Sequence, residues 1–226
     1  MKYVLFSLLA IVLTASFAQA DTILTGTVTA DNAFIAYLST SPTALGAQIG
    51  TGTDWGTSYT LPPFTLTAGT TYYLQINGHN GIYPNYLPPI AGPGGIIGSF
   101  TLGDASFQFS NGSQSLNTDS AHWTYAYTIY SDFIAGVPPG SAPILIPTGY
   151  GANGVGPWGA RSGISGDAQW IWDTTNPEYQ ATDLFFETTI TPLTDPTPIP
   201  EPGSMFLLGS GLLAISRMVS RRRRTA

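Results

Sequence analysis

Apolar and polar residues alternate in short bursts along this chain. Between residues 21 and 199 no apolar stripe of helical period runs for ten or more residues. Residues 22–29 set Ile23, Thr25, Thr27 and Thr29 on one side of a two-residue repeat. Similar runs occupy 33–38, 70–76, 96–102, 105–109, 124–130 and 182–191. Gly, Pro and Asn separate them, and Asn77-Gly78 and Asn111-Gly112 predict tight turns that close the third and fifth runs. Many short strands with this punctuation predict an all-β fold, an antiparallel β-sandwich or barrel. Residues 78–95, 135–166 and 173–180 read as long ordered loops, which either carry function or cover a core. The Pro/Thr stretch at 191–198 predicts an extended linker, because repeated prolines cannot join a sheet centre.

The two ends break this pattern. Lys2, an apolar run over 4–12 and the small-residue site Ala18-Gln19-Ala20 form a secretory signal peptide, so the mature chain is expected to start near Asp21. The alternative, an uncleaved membrane anchor, is disfavoured by the short apolar run. At the other end, residues 205–216 are apolar until Arg217 interrupts them. A helix of that size spans roughly 18 Å, against a hydrocarbon core of about 30 Å. It is marginal as a permanent anchor and sufficient as a short transmembrane helix that holds the chain for processing. Arg221, Arg222, Arg223 and Arg224 would stay cytoplasmic by the positive-inside rule, with the body on the far side. The expected organisation is a signal peptide at 1–20, a sandwich at 21–192, a linker at 193–199 and a sorting segment at 200–226.

With the ends set aside, charge becomes informative. The stretch 21–199 holds ten Asp, two Glu and a single cation, Arg161. Such a body repels nucleic acid and anionic membrane surfaces, and it has no basic patch to overcome the repulsion. The chain has no cysteine, which excludes disulfides, thiol catalysis and thiolate metal sites.

Pro200-Glu201-Pro202, followed by a short apolar helix and an arginine cluster, resembles the PEP-CTERM sorting signal. The resemblance implies processing by exosortase, a membrane transpeptidase, in a Gram-negative-type bacterium. It also implies transient anchoring through the tail and sorting to the cell surface or extracellular matrix. It says nothing of what the body does.

A second resemblance runs through the body. The segment 28–34 followed by Tyr37-Leu38 is similar to the opening of galactose-binding-like jelly-roll modules. Residues 117–123, Pro157-Trp158-Gly159, residues 168–172 and a final strand with Phe185-Phe186 recur in the same order in such modules. The resemblance implies a jelly-roll sandwich found beside glycosidases. The usual basic residue of the last strand is Glu187 here, which departs from the pattern.

Trp170 and Trp172 are two apart, so on a strand they face one side and fill a core, with Ile171 opposite. Aromatics in loops are the better platforms for pyranose rings. Trp55 lies in a Gly/Thr loop, Tyr83 and Tyr86 in a Pro-rich loop, and Trp158 in a Gly-rich loop beside Arg161. That cation and aromatic either orient an acidic sugar or form a structural stack. His79 reads as a solvated turn residue, and His122 as a hydrogen-bonding support of its loop. No nucleophile, metalloprotease or phosphate-loop motif is present in the body. Glu178 and Glu187 are the only body glutamates, and a glycosidase pair needs them roughly 5–10 Å apart. Asp31, Asp54, Asp104, Asp119 and Asp132 are oxygen donors without a gathering motif, so no cofactor is expected and a structural Ca²⁺ stays open.

These readings lead to an exported, non-catalytic surface or matrix protein whose sandwich binds extracellular polysaccharide. A structural matrix protein without glycan specificity is the first alternative, and a secreted glycoside hydrolase the second.

Overall fold

A computed structural model describes residues 21–81, 93–128, 141–173, 183–193 and 210–211. The chain divides into two units, Gln19–Thr194 and the two ends together, Met1–Ala18 with Asp195–Ala226. In the second unit Ser210 and Gly211 are helical, and among the described residues no helix is long and apolar enough to cross a membrane.

The first unit is all-β. Its strands are β1 (Thr22–Asp31), β2 (Ala33–Ser39), β3 (Ala47–Gly52), β4 (Tyr59–Leu66), β5 (Tyr72–His79), β6 (Gly95–Leu102), β7 (Phe107–Phe109), β8 (Ser115–Asn117), β9 (Thr124–Thr128), β10 (Thr148–Ala152), β11 (Gln169–Trp172) and β12 (Asp183–Pro192). They form two antiparallel sheets, and β-branched and aromatic residues dominate the central strands, where they fit a pleated, packed surface. The first sheet runs β10-β11-β6-β1-β4, with β8 also on β6, and the second runs β3-β2-β5-β12-β7, with β9 also on β12. Central registers are unbroken, from Leu24↔Leu102 to Asp31↔Gly95 and from Leu184↔Gly78 to Ile190↔Tyr72.

Period-2 alternation turns one face of each sheet inward. Leu24, Val28, Ile96 and Phe100 from the first sheet meet Leu74, Ile76, Phe186 and Ile190 from the second, all essentially fully buried. Each such side chain contributes about 1.5–3 kcal/mol by leaving water. Trp172 packs 5.5 Å from Phe186 at one end of the sandwich. Its ring lies so close to Gly94 that a Cβ there would sit 2.4 Å from it, which only glycine permits.

Several expectations are corrected. Asn77-Gly78 is not a turn: both residues lie inside β5, paired to β2 and β12. Two neighbouring strands supply more hydrogen bonding than a local turn can. Asn111-Gly112 does turn the chain, with Gly112 at φ 74° and its N–H donated to Phe109 O at 2.9 Å. Trp170 and Trp172 do not share a face. Trp170 joins a cluster on the outer face of the first sheet, whereas Ile171 and Trp172 enter the main core. β11 ends at Trp172, so the strand alternation no longer fixes that side chain. The expected loop at 135–166 contains β10, and β3 and β4 arise where no strand was expected.

Candidate functional site

The outward row of β1 builds the site. Thr27, Thr29 and Asp31 alternate with the core residues Val28 and Ala30, so all three face away from the second sheet. Thr60 of β4 is the cross-strand neighbour of Thr27. One rung on, Thr29 Oγ1 donates to Trp55 O at 3.3 Å and ties down the loop between β3 and β4. That loop is braced by Asp54, whose carboxylate accepts Gly56 N–H at 2.9 Å and Thr57 Oγ1–H at 2.8 Å. These bonds, with a smaller contribution from the Arg161 charge, hold the Asp54 carboxyl below its ordinary value. Trp55 is left with 40 % of its surface exposed.

A second loop, residues 153–168, lies over the other end of the same row. Asn153 is its hub: its amide donates to Arg161 O and Ile164 O, each at 2.9 Å, and its Oδ1 accepts Arg161 N–H at 2.6 Å. Gly163, at φ 76°, makes the left-handed bend that brings this loop to Thr27. Trp158 stacks on Trp170 at 4.4 Å between centroids and 25° between planes, with Tyr150 edge-on at 5.6 Å. Its indole N–H donates to Asp31 Oδ2 at 2.6 Å. Burial raises the Asp31 carboxyl above its usual range, and the indole bond partly offsets this.

Arg161 joins the two loops. Its Nη1 donates to Trp55 O at 3.1 Å, its Nη2 donates to Trp158 O, and its guanidinium carbon lies 5.1 Å from the Trp55 ring centroid. Beside them opens a cleft of about 420 Å³, lined by the hydroxyls of Thr27, Ser58, Thr60 and Ser162, by Arg161 and by the backbone at Gly56.

The structure therefore brings Trp55 and Arg161 together and places Trp158 behind them. Trp158 is only 4 % exposed, so it supports the loop and offers no free ring face to a sugar. Sequence alone could not tell these roles apart, because both tryptophans sit among glycines. Tyr83 and Tyr86 lie outside the described residues, as do Pro200, Glu201, Pro202, Arg221, Arg222, Arg223 and Arg224. The cleft hydroxyls and Asn153 were missed. The run of polar alternates Thr25, Thr27 and Thr29 was visible, but nothing in it marks which loop it meets.

The outer face of the second sheet is different. β5 turns Gln75, Asn77 and His79 outward, and β12 sets Asp183, Phe185 and Glu187 opposite them. His79 is not a solvated turn residue: it is 3 % exposed, with Nδ1 2.5 Å from Asp183 Oδ1. Burial raises the Asp183 carboxyl, and the bond to His79 opposes the rise. Gln75 Nε2 donates to Glu187 Oε2 at 3.0 Å and to Ser41 O at 3.2 Å. Desolvation pushes the Glu187 carboxyl up to about 7, against the Gln75 bond. Glu178, its expected partner in a hydrolase, lies outside the described residues.

Other expected donors are engaged locally. Asp119 accepts His122 N–H at 2.7 Å and pairs with His122 Nδ1 at 2.8 Å, so His122 holds its loop as its position suggested. Asp104 accepts Ser106 N–H at 2.8 Å, and Asp132 lies outside the described residues. Among the described residues no three His, Cys, Asp or Glu gather as metal ligands.

The first unit is an all-β sandwich, and the second holds the two ends of the chain. Residues 198–224 match the PEP-CTERM protein-sorting motif, which marks the chain as exported and sorted by exosortase through a membrane-anchored C-terminal signal. Comparison with curated proteins and with solved structures returns no match.

Proposed function

We propose that the sandwich is a non-catalytic carbohydrate-binding body, displayed at the cell surface or in the extracellular matrix after exosortase processing. The observation that carries this reading is the exposed Trp55 ring packed against Arg161, which itself lines a cleft with Thr27, Ser58, Thr60 and Ser162. An aromatic face supplies apolar contact for a pyranose ring, and Ser and Thr hydroxyls donate to and accept from its hydroxyl groups. The cleft lining contains no carboxyl group, and Glu187 belongs to the opposite sheet, which supports binding over hydrolysis. The jelly-roll resemblance of the body agrees with it.

The test is affinity electrophoresis of the mature protein in polysaccharide from the producing cells. Retardation by at least one polysaccharide is expected, and Trp55→Ala should weaken it about tenfold, the worth of roughly 1.4 kcal/mol of ring contact. Equal migration with and without every polysaccharide would sink the reading. A structural matrix role has its own support in the acidity of the body, which hydrates and spaces neighbouring copies. It expects self-association without glycan, unchanged by Trp55→Ala.

A further inference from the structure

Resting on the carbohydrate reading above, we infer that the Trp55 cleft takes an uncharged glycan and rejects an acidic one. The only cation of the body sits at this cleft, so sequence alone points the opposite way, to a uronate or another acidic sugar. The geometry withdraws that cation from service. Nη1 and Nη2 of Arg161 each donate to a backbone carbonyl, of Trp55 and of Trp158. Nε is buried, so the Nε–Nη2 edge that would grip a carboxylate in two-pronged fashion is closed. One face of the guanidinium is turned to the Trp55 indole.

The charge of Arg161 is also already answered. Asp54 is fully exposed, and its carboxylate is stabilised by Gly56 N–H, by Thr57 Oγ1–H and by the Arg161 charge itself. Around them lies a body with twelve carboxylates and no second cation. An incoming carboxylate therefore meets the exposed Asp54 and a negative field, while Nη1 and Nη2 of Arg161 are already bonded to carbonyls and its Nε is buried. What remains to recognise a ligand is the Trp55 ring and the four hydroxyls of Thr27, Ser58, Thr60 and Ser162. Each hydroxyl both donates and accepts, which suits neutral sugar hydroxyls. Arg161 is thus a positioning residue: it presents the ring and does not hold the ligand's charge.

The experiment uses the producer's own exopolysaccharide, split by anion exchange into neutral and acidic fractions. A portion of the acidic fraction is carboxyl-reduced, which turns each uronate into the corresponding neutral hexose. Binding to the mature protein is measured for all three. The inference expects the neutral fraction to bind and the acidic fraction to bind about tenfold less, with reduction restoring its binding. Between about 20 mM and about 500 mM NaCl, affinity for the neutral glycan should change by less than about twofold, because no ion pair is screened. Asp54→Asn removes the exposed carboxylate and should raise the ratio of acidic to neutral glycan bound several-fold, a ratio in which any loosening of the Trp55 loop cancels; an unchanged ratio would overturn the part assigned to Asp54. Acidic glycan bound more tightly than neutral, and released by salt, would overturn this inference while leaving the carbohydrate reading intact. Failure of all three samples to bind would remove both.

Discussion

On the first sheet, the outward polar row of β1 meets loops. Thr29 bonds the Trp55 loop and Asp31 bonds the Trp158 indole, and a hydrophobic cluster of Trp158, Trp170 and Ile97 seals the space between loop and strand. On the second sheet, the outward polar row of β5 bonds mainly across to its neighbouring strand, with Gln75 also reaching the β2–β3 loop at Ser41 O. Gln75 bonds Glu187, and His79 bonds Asp183. The same alternation of polar residues on a central strand thus has two uses. Where it docks loops, it leaves a ring and a hydroxyl-lined cleft at the surface. Where it pairs across strands, it is buried and staples the sheet. The difference lies in what the rows carry: the loop docked on Thr29 leaves Trp55 40 % exposed, whereas Gln75, Asn77 and His79 are themselves at most 3 % exposed.

Four substitutions test the two roles. Trp158→Ala should have the largest effect. It opens a cavity against Trp170 and leaves the Asp31 carboxyl without its donor, at a cost of about 4 kcal/mol in urea unfolding. A cost under about 1 kcal/mol would show that the loop does not depend on its aromatic seal.

His79→Ala comes next, at about 3 kcal/mol, because it strands the buried Asp183 carboxyl. The double variant His79→Leu with Asp183→Leu should recover most of that loss. No recovery would mean that His79 stabilises through packing and not through its pairing.

Glu187→Gln tests the staple through pH. The folded carboxyl keeps its proton up to about 7, whereas the ordinary value is 4.5. Its folded value is raised, so its contribution to stability is fully present below the ordinary value and is lost as pH rises through about 7. Asp183 and Asp31 are raised as well and act with the same sign. Wild-type protein should therefore be less stable at pH 8 than at pH 5. Glu187→Gln should flatten this difference and add about 2 kcal/mol at pH 8, after allowing for solvent screening. Identical urea midpoints at the two pH values for wild type would refute a desolvated Glu187.

Trp55→Ala should have the smallest effect on stability, under about 0.5 kcal/mol, since the ring lies at the surface. If it destabilised the protein as much as Trp158→Ala does, the two tryptophans would share one structural role and the contrast between rim and support would fail.

Much of this fold was legible, and the reasons for the rest are local. β1, β2, β6 and β12 announce themselves by alternation between turn residues. β4 does not, because Pro62-Pro63 lies in its middle and proline normally argues against a strand. β10 hides in Tyr150 and its glycines. Asn77-Gly78 carries a strong turn signal, and only its burial between β2 and β12 overrules it. His79 was misread for the same reason, since a histidine placed in a turn is solvated and a histidine placed in β5 is not. At the site, Trp55 and Arg161 were each singled out, but they are 106 residues apart in the chain. Their meeting depends on Thr27, Thr29 and Asn153, whose roles are set by which loops the sheet brings together. The tail was the most legible segment, because its order of motif, apolar run and arginine cluster is read along the chain and needs no tertiary contact.

Pro62 and Pro63 have a consequence for the company the protein keeps. β4 is the outermost strand on its side of the first sheet, and its pairing with β1 slips where these prolines fall, between Leu24 and Gly26. Proline has no N–H to offer, and with the register slip here the rim loses the regular row of outward donors that a further strand would pair with. This border of the sheet therefore resists edge-to-edge growth into fibrils.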